Sequence, residues 1–330
     1  MGKHGYSPGL NDGHPARTSM SVPVVIIGAG PAGLLAAYGA RETKCLVLEK
    51  MPRPGIKLSL TGNGRGNLTN LAPVKKMQEA FFEHGDFLRP ALQNLSPKKL
   101  LALFSNLGLA TVQEDKNRVF PVSGRARDIV DCLVGALKKE HIEIICVQAV
   151  TKICHENGSV SGIECNQGEK NTFLAARAVI LACGGASWPQ TGSTGDGYAL
   201  ARELGHSVTP CLPALSPLST DAPIQFLQGL SLTAVKASLV VNDRAVISEQ
   251  GDVIFTHFGL SGPAILDISR VAAKALTEKQ KTTLLLDLFP DQNSSQLDNL
   301  LQSRAAQHGK KQMLLNFHRL RKRRFSTFRP

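Results

Sequence analysis

The stretch VPVVIIGAGPAGLLAAYGARETKCLVLEK, Val22 to Lys50, decides how this chain is read. Its opening, Val22 to Ile27, is a β-branched run of strand length with no charged residue, the pattern of a parallel strand buried on both faces. The glycine-rich turn Gly28-Ala29-Gly30-Pro31-Ala32-Gly33 follows, then a helical stretch from Leu34 to Arg41 and a second strand, Cys45 to Leu48, ending at Glu49. That order is a complete βαβ unit. A lone G-x-G-x-x-G carries little information, but a strand before it, a helix after it and an acid about twenty residues on make it a dinucleotide fingerprint. Gly28 makes the tight turn, Gly30 lets main chain approach a pyrophosphate, and Gly33 lets helix and strand pack closely. The pyrophosphate then lies against the turn, including Ala29, Pro31 and Ala32, at the positive end of the helix. Glu49 is placed to accept hydrogen bonds from adenosine ribose hydroxyls. The alternative is a glycine-rich packing turn followed by a surface acid.

The chain does not continue with the further βα units of a plain nicotinamide-binding domain. Instead, Arg53 to Asn70 alternates glycines with Lys, Arg, Asn and Thr. Its amides and donors suit an anionic, planar cofactor, although an ordinary surface loop has the same composition. Ser96-Pro97 reads as the cap and first-turn proline of a helix running to Leu107. A second helix, Arg125 to Glu140, places Ile129, Val130, Leu133, Val134 and Leu137 on one stripe. Short strands follow at Ile142 to Val147, Val150 to Cys154, Val160 to Cys165 and Ala178 to Leu181, with Asn157-Gly158 as a hairpin turn. They form an antiparallel excursion that returns to the parent sheet. The return strand runs into Gly184-Gly185, where a long cofactor can receive close backbone approach. Asp196, ahead of a helix from Tyr198 to Leu204, either faces the same site or simply caps that helix.

The prolines between Pro210 and Pro223 mark a crossing into another domain. Beyond them lie strand-like stretches at Leu230 to Val241 and Val253 to Phe258, a helix from Pro263 to Leu276, a polar linker at Asp291 to Ser295 and one more helical region. The expected organisation is a disordered leader (1–21), a nucleotide-binding domain (22–209), a second, strand-rich domain (210–309) and a basic tail (310–330).

With 330 residues, 42% hydrophobic and 19% charged, the composition is that of a globular protein and excludes a disordered chain or a coiled coil. No apolar run approaches the roughly eighteen residues of a membrane span, so no membrane association is expected. The leader has no apolar core of a secretory signal, and the seven cysteines contain no C-x-x-C pair, which points to reduced thiols and the cytoplasm. Of the net charge of +12, eight cations lie between Lys310 and Arg329 without an acid, leaving only about +4 for the body. That concentration reads as a solvated tail and not as a specific nucleic-acid face.

Four segments together resemble the bacterial aminoacetone-oxidase-like NAD(P)/FAD-dependent oxidoreductases, a family that includes bile-acid-pathway reductases. They are Val24 to Gly33 with Glu49; Lys57 to Asn70; Ala182 to Tyr198 with its GSTGDGY run; and Phe255-Thr256-His257-Phe258-Gly259-Leu260-Ser261-Gly262-Pro263. The GSTGDGY run is also similar to the fumarate-reductase group, which favours FAD over NAD as the tightly held dinucleotide. The resemblance implies a two-dinucleotide-binding-fold flavoprotein, an α/β Rossmann-like FAD domain with a strand-rich domain inserted into it. By that analogy Lys57, Thr61, Arg65, Asn67 and Asn70 lie along the ribityl and isoalloxazine side, Val150 offers backbone to the adenine, and Gly184 and Gly185 approach the cofactor. The inserted domain brings His257 near the flavin face.

The family's loop cysteine is Gly66 here, which removes any thiol chemistry beside the flavin. Nothing matches the carboxyl-terminal strand and glycine-rich turn that close the FAD domain in such proteins; the end, His318 to Phe325, resembles neither a strand nor that motif. The expected function is FAD-dependent hydride transfer at flavin N5, between a small organic substrate and flavin or with NAD(P)H as donor. Arg65 and His257 are the candidate catalytic residues, Arg65 for negative charge and His257 as a proton relay. Their alternatives are a pairing of Arg65 with a local carboxylate and a structural role for His257. The competing reading of the whole chain is a truncated, non-catalytic relic acting as a binding protein.

Overall fold

Val24 and Ile26 face one side of their strand and Val25 and Ile27 the other, and both sides are covered. This is why the run contains no polar alternation. The computed structural model describes residues 17–167, 170–221, 223–308, 325–326 and 328–329. They divide into two units, with the boundary between Thr209 and Pro210.

In the first unit β1 (Arg17–Ile27) leads through the glycine turn into α1 (Pro31–Gly39) and β2 (Cys45–Leu48). Next come β3 (Thr69–Asn70), α2 (Val74–Ala80), α3 (Gly85–Asn94), α4 (Pro97–Asn106), β4 (Thr111–Gln113), β5 (Arg118–Pro121) and α5 (Ala126–Lys139). The unit ends with β6 (Glu143–Ile145), β7 (Ala149–Glu156), β8 (Ser159–Gln167), β9 (Lys170–Leu181) and α6 (Asp196–Glu203). The main sheet runs in the order β6-β2-β1-β9-β8-β7. Strands β6, β2, β1 and β9 are parallel, and β7 to β9 are antiparallel, so the expected excursion and its return are both present. Strands β3, β5 and β4 form a separate small sheet.

Alternation along β2 shows the layering. Cys45 and Val47 pack with Leu34 and Ala37 of α1 and with Ile129, Leu133 and Leu137 of α5, whereas Leu46 and Leu48 join Leu200 of α6 on the opposite face. Because both faces are covered, the loops at the carboxyl ends of β1, β2 and β9 are left as the open edge, where ligands bind in such sheets.

In the second unit β10 (Leu218–Thr220), β11 (Ser231–Val241), β12 (Arg244–Phe255) and β13 (Gly259–Ser261) precede α7 (Pro263–Thr277), β14 (Thr282–Asp287) and α8 (Ser294–His308). Their sheet packs against α7 around Val235, Leu239, Phe255, Ile265 and Ile268.

Several boundaries differ from expectation. Strand β1 begins at Arg17 because Arg17 and Ser21 already pair with Phe173 and Ala175 of β9; residues 1–16 lie outside the described residues. Strand β14 was not foreseen. Of the basic tail, 310–324, 327 and 330 lie outside the described residues. Of the end read as unlike a strand, His318 to Phe325, only Phe325 is described; Phe325–Ser326 and Phe328–Arg329 are β15 and β16, pairing with the open edges of β14 and β10. An edge strand carries unpaired N–H and C=O groups that accept any extended segment.

Candidate functional site

At the carboxyl ends of β1, β2 and β9 lies a cavity of about 240 Å³. The glycine turn forms one wall, and its three glycines are glycines for different reasons. Gly28 has φ +105°, and a Cβ there would lie 2.6 Å from the Ala182 carbonyl oxygen. A Cβ at Gly33 would fall 1.8 Å from the Gly28 oxygen, so helix and strand pack only because it has none. Gly30 differs from both: its φ of −74° suits any residue, and no protein atom beyond its immediate chain neighbours lies within 4 Å of the Cβ position. The protein itself does not require glycine there. The space it keeps is open to the cavity, as expected where a ligand's pyrophosphate approaches. Pro31 opens α1 without an N–H, leaving the N–H groups of Ala32 and Gly33 free of intrahelical acceptors.

Glu49 stands on the adjoining wall. Its Oε2 accepts from the Ala29 N–H at 2.7 Å and its Oε1 from the Met51 N–H at 2.8 Å. The carboxylate is thereby held in one orientation while each oxygen retains a further lone pair. The neighbouring Lys50 donates at 2.5 Å to both Thr194 Oγ and Asp196 Oδ2, tying the end of β2 to the start of α6. Gly195 occupies the cap position of α6 and Asp196 is its first residue, so Asp196 is not the cap. Burial raises the Asp196 carboxyl, but hydrogen bonds from Lys50 and Thr194 outweigh it and hold the group below the ordinary carboxylate range. The Cys183 thiol is pushed up, first by burial and then by the Asp196 charge, which keeps it protonated.

Of the expected binding residues, Gly28, Gly30, Pro31, Ala32, Glu49, Lys57, Val150, Gly184 and Asp196 line this cavity. Ala29 and Gly33 lie behind it as support, and Gly185 faces the Tyr198 hydroxyl. Lys57 is held by the Ser187 carbonyl and hydroxyl oxygens at 2.9 and 2.8 Å. The rest of the loop is elsewhere. Thr61 donates to the Leu58 carbonyl oxygen, Asn67 is exposed, and Asn70 bridges the Lys116 carbonyl oxygen and the Ala72 N–H. Arg65 does not line the cavity: it is paired with Glu114 through both terminal nitrogens and lies over the Phe120 ring, 4.4 Å from its centroid. Gly66 has φ +79°, and a Cβ there would meet Ala126 Cα at 2.7 Å, so this loop excludes the cysteine side chain of the resembling family. His257 belongs to the second unit, edge-on to Phe258.

Lys50, Arg53, Gln148 and Ser193 also line the cavity, and of these only Arg53 belongs to a stretch already read as suited to an anionic cofactor. The first two follow Glu49 closely at the end of a buried parallel strand, a signal that was available. Ser193 is 6% exposed, and its hydroxyl has no hydrogen bond among the described residues. An open Gly30, an oriented carboxylate and a hydroxyl on the cavity wall fit a dinucleotide.

The model of the HI0933-like protein Rossmann domain matches residues 22–284. The chain belongs to that family. The HI0933-like Rossmann domain falls within the FAD-binding oxidoreductases. Among curated proteins, this member is 33% identical over 281 residues to the 3-dehydro-bile acid delta(4,6)-reductase of Clostridium scindens, covering 82% of this chain and 66% of the relative. It is 28% identical over 248 residues to the ribosomal RNA dihydrouridine synthase of Escherichia coli, covering 74% and 60%. The chain thus spans about two thirds or less of the length of these relatives. A flavocytochrome c3 fumarate reductase in an open conformation shares the fold, with TM-score 0.50 and 19% identity over 66% of this chain and 47% of that one. Among the described residues, no helix is long and apolar enough to cross a membrane.

Proposed function

We propose that this chain binds FAD in the cavity of its first unit and acts as a flavin-dependent reductase of a small organic substrate. The observation that carries the reading is Gly30, a residue with ordinary φ and an empty Cβ position at the start of a helix inside the cavity. When bound, FAD supplies hydride exchange at flavin N5, between substrate and an NAD(P)H donor. Around it, the N–H of Ala32 at the start of the helix receives the diphosphate, Glu49 accepts from the adenosine ribose, and Lys57 and Ser193 offer donors along the same wall. Glu49, already fixed by two main-chain donors, binds ribose without first losing side-chain freedom.

The name of the Clostridium relative, a bile acid delta(4,6)-reductase, supports a reductive direction and an organic substrate. His257 is proposed as the proton relay. Arg65, engaged by Glu114 and Phe120, is better explained as a fastening of the loop than as a catalytic group. All seven cysteines are unpaired, which supports a reducing compartment such as the cytoplasm.

The test is to load the purified chain with FAD and add NADH or NADPH without oxygen. Bleaching of the flavin absorbance by either donor is the expected result. A protein that takes up no FAD overturns the reading, and a loaded protein that neither donor reduces removes the nicotinamide part of it.

A further inference from the structure

Gln148 is a large polar side chain only 8% exposed, and it lines the cavity between Glu49 and Val150. Its main-chain N–H donates to the Glu49 carbonyl oxygen at 2.9 Å, so it sits beside the acid assigned to the ribose. A buried amide ordinarily satisfies both its ends. Here Nε2 donates to Cys165 Sγ at 2.9 Å, and the side-chain carbonyl has no hydrogen bond among the described residues. The sulfur is itself oriented: Cys165 lies 3.6 Å from the Thr172 carbonyl oxygen and 3.2 Å from its hydroxyl, which leave it as the acceptor toward Gln148. The chain Thr172, Cys165, Gln148 therefore fixes which end of the amide faces the cavity.

We propose that Gln148 reads the nucleobase, with its free carbonyl oxygen accepting from the exocyclic amino group of adenine and Cys165 as the positioning residue. This rests on the dinucleotide reading above and adds a specificity to it. Adenine presents an amino donor where guanine presents a carbonyl oxygen, and two facing acceptors repel. A Gln148 amide free to turn would offer its NH₂ to guanine instead; the bond to Cys165 forbids that turn.

The probes are ADP and GDP, titrated by calorimetry into the full chain, with FAD uptake as a separate measurement. The unsubstituted protein is expected to prefer ADP by about tenfold or more. Gln148→Met should reduce that preference to within about twofold, chiefly by weakening ADP. Cys165→Val leaves the glutamine in place but unanchored, and GDP binding should strengthen, an outcome that a merely structural cysteine does not produce; Cys165→Ser, which can still accept from Nε2, should retain the preference. If Gln148→Met does not fold, the Cys165 pair carries the test. Equal affinity for the two nucleotides in the unsubstituted chain, or an unchanged ratio in both Gln148→Met and Cys165→Val, overturns the role of Gln148 while FAD uptake leaves the dinucleotide reading standing. A chain that binds neither FAD nor ADP overturns the dinucleotide reading itself.

Discussion

Single residues separate what the fold needs from what the ligand needs. Gly33 has no room for a Cβ, so Gly33→Ala forces helix and strand apart; denaturant unfolding should show a loss of about 3 kcal/mol, at the upper end for overpacking. Asp196 offers a pH-dependent test. Its carboxyl is held below its ordinary value, so its contribution to stability is complete above the unfolded value of about 3.9 and is lost as pH falls through the lower folded value. Its side chain is 46% exposed, which limits the Lys50 pair to about 0.5 kcal/mol. Asp196→Asn should therefore lower the melting temperature slightly at pH 7, with a deficit that shrinks as pH falls below the unfolded value of about 3.9; a deficit that does not change with pH contradicts the assignment. The roles of Gly28 and Gly33 were legible from spacing alone. That of Gln148 was not, because its partners Glu49 and Cys165 are distant in sequence and meet only through the sheet.

Among the elements, legibility followed periodicity. Helix α5 was evident because Ile129, Val130, Leu133 and Leu137 repeat at helical spacing, and all four are buried. Leu133→Ala should cost about 2–5 kcal/mol, read as a shift in denaturation midpoint without a change of slope. Ser96 accepts from the Lys99 N–H at the start of α4, as its position before Pro97 suggested, and Ser96→Ala should cost about 1 kcal/mol. The small sheet of β3, β5 and β4 was invisible, since strands such as Thr69–Asn70 are too short for alternation and exist through pairing with a distant partner. Strand β9 was read only at its carboxyl end, Ala178 to Leu181; its earlier half, Lys170 onward, is set by antiparallel pairing with β8. The loop from Arg53 to Asn70 shows the limit of composition as a guide: Lys57 reaches the cavity, while Thr61, Arg65 and Asn70 fasten the loop to itself and to its neighbours.

On the scale of the whole molecule, the parallel sheet leaves one edge open, and the glycine turn, Glu49 and the Gly184 loop converge there from strands adjacent in space but far apart in the chain. A ligand at that edge stabilises the folded state by mass action, about 2.7 kcal/mol at a hundredfold excess over Kd. With FAD, hydrogen exchange should slow most at residues 28–33, 48–51 and 148–150. Slowing spread evenly along the chain argues against a site at this edge. The central claim, that the space above Gly30 belongs to a diphosphate, is tested most directly by titrating FAD into the unsubstituted chain and into Gly30→Val while following flavin fluorescence. The account predicts saturable quenching in the first and at least about a hundredfold weaker binding in the second, with the melting temperatures of the two ligand-free proteins unchanged. Equal FAD affinity in a Gly30→Val variant that folds normally would contradict it.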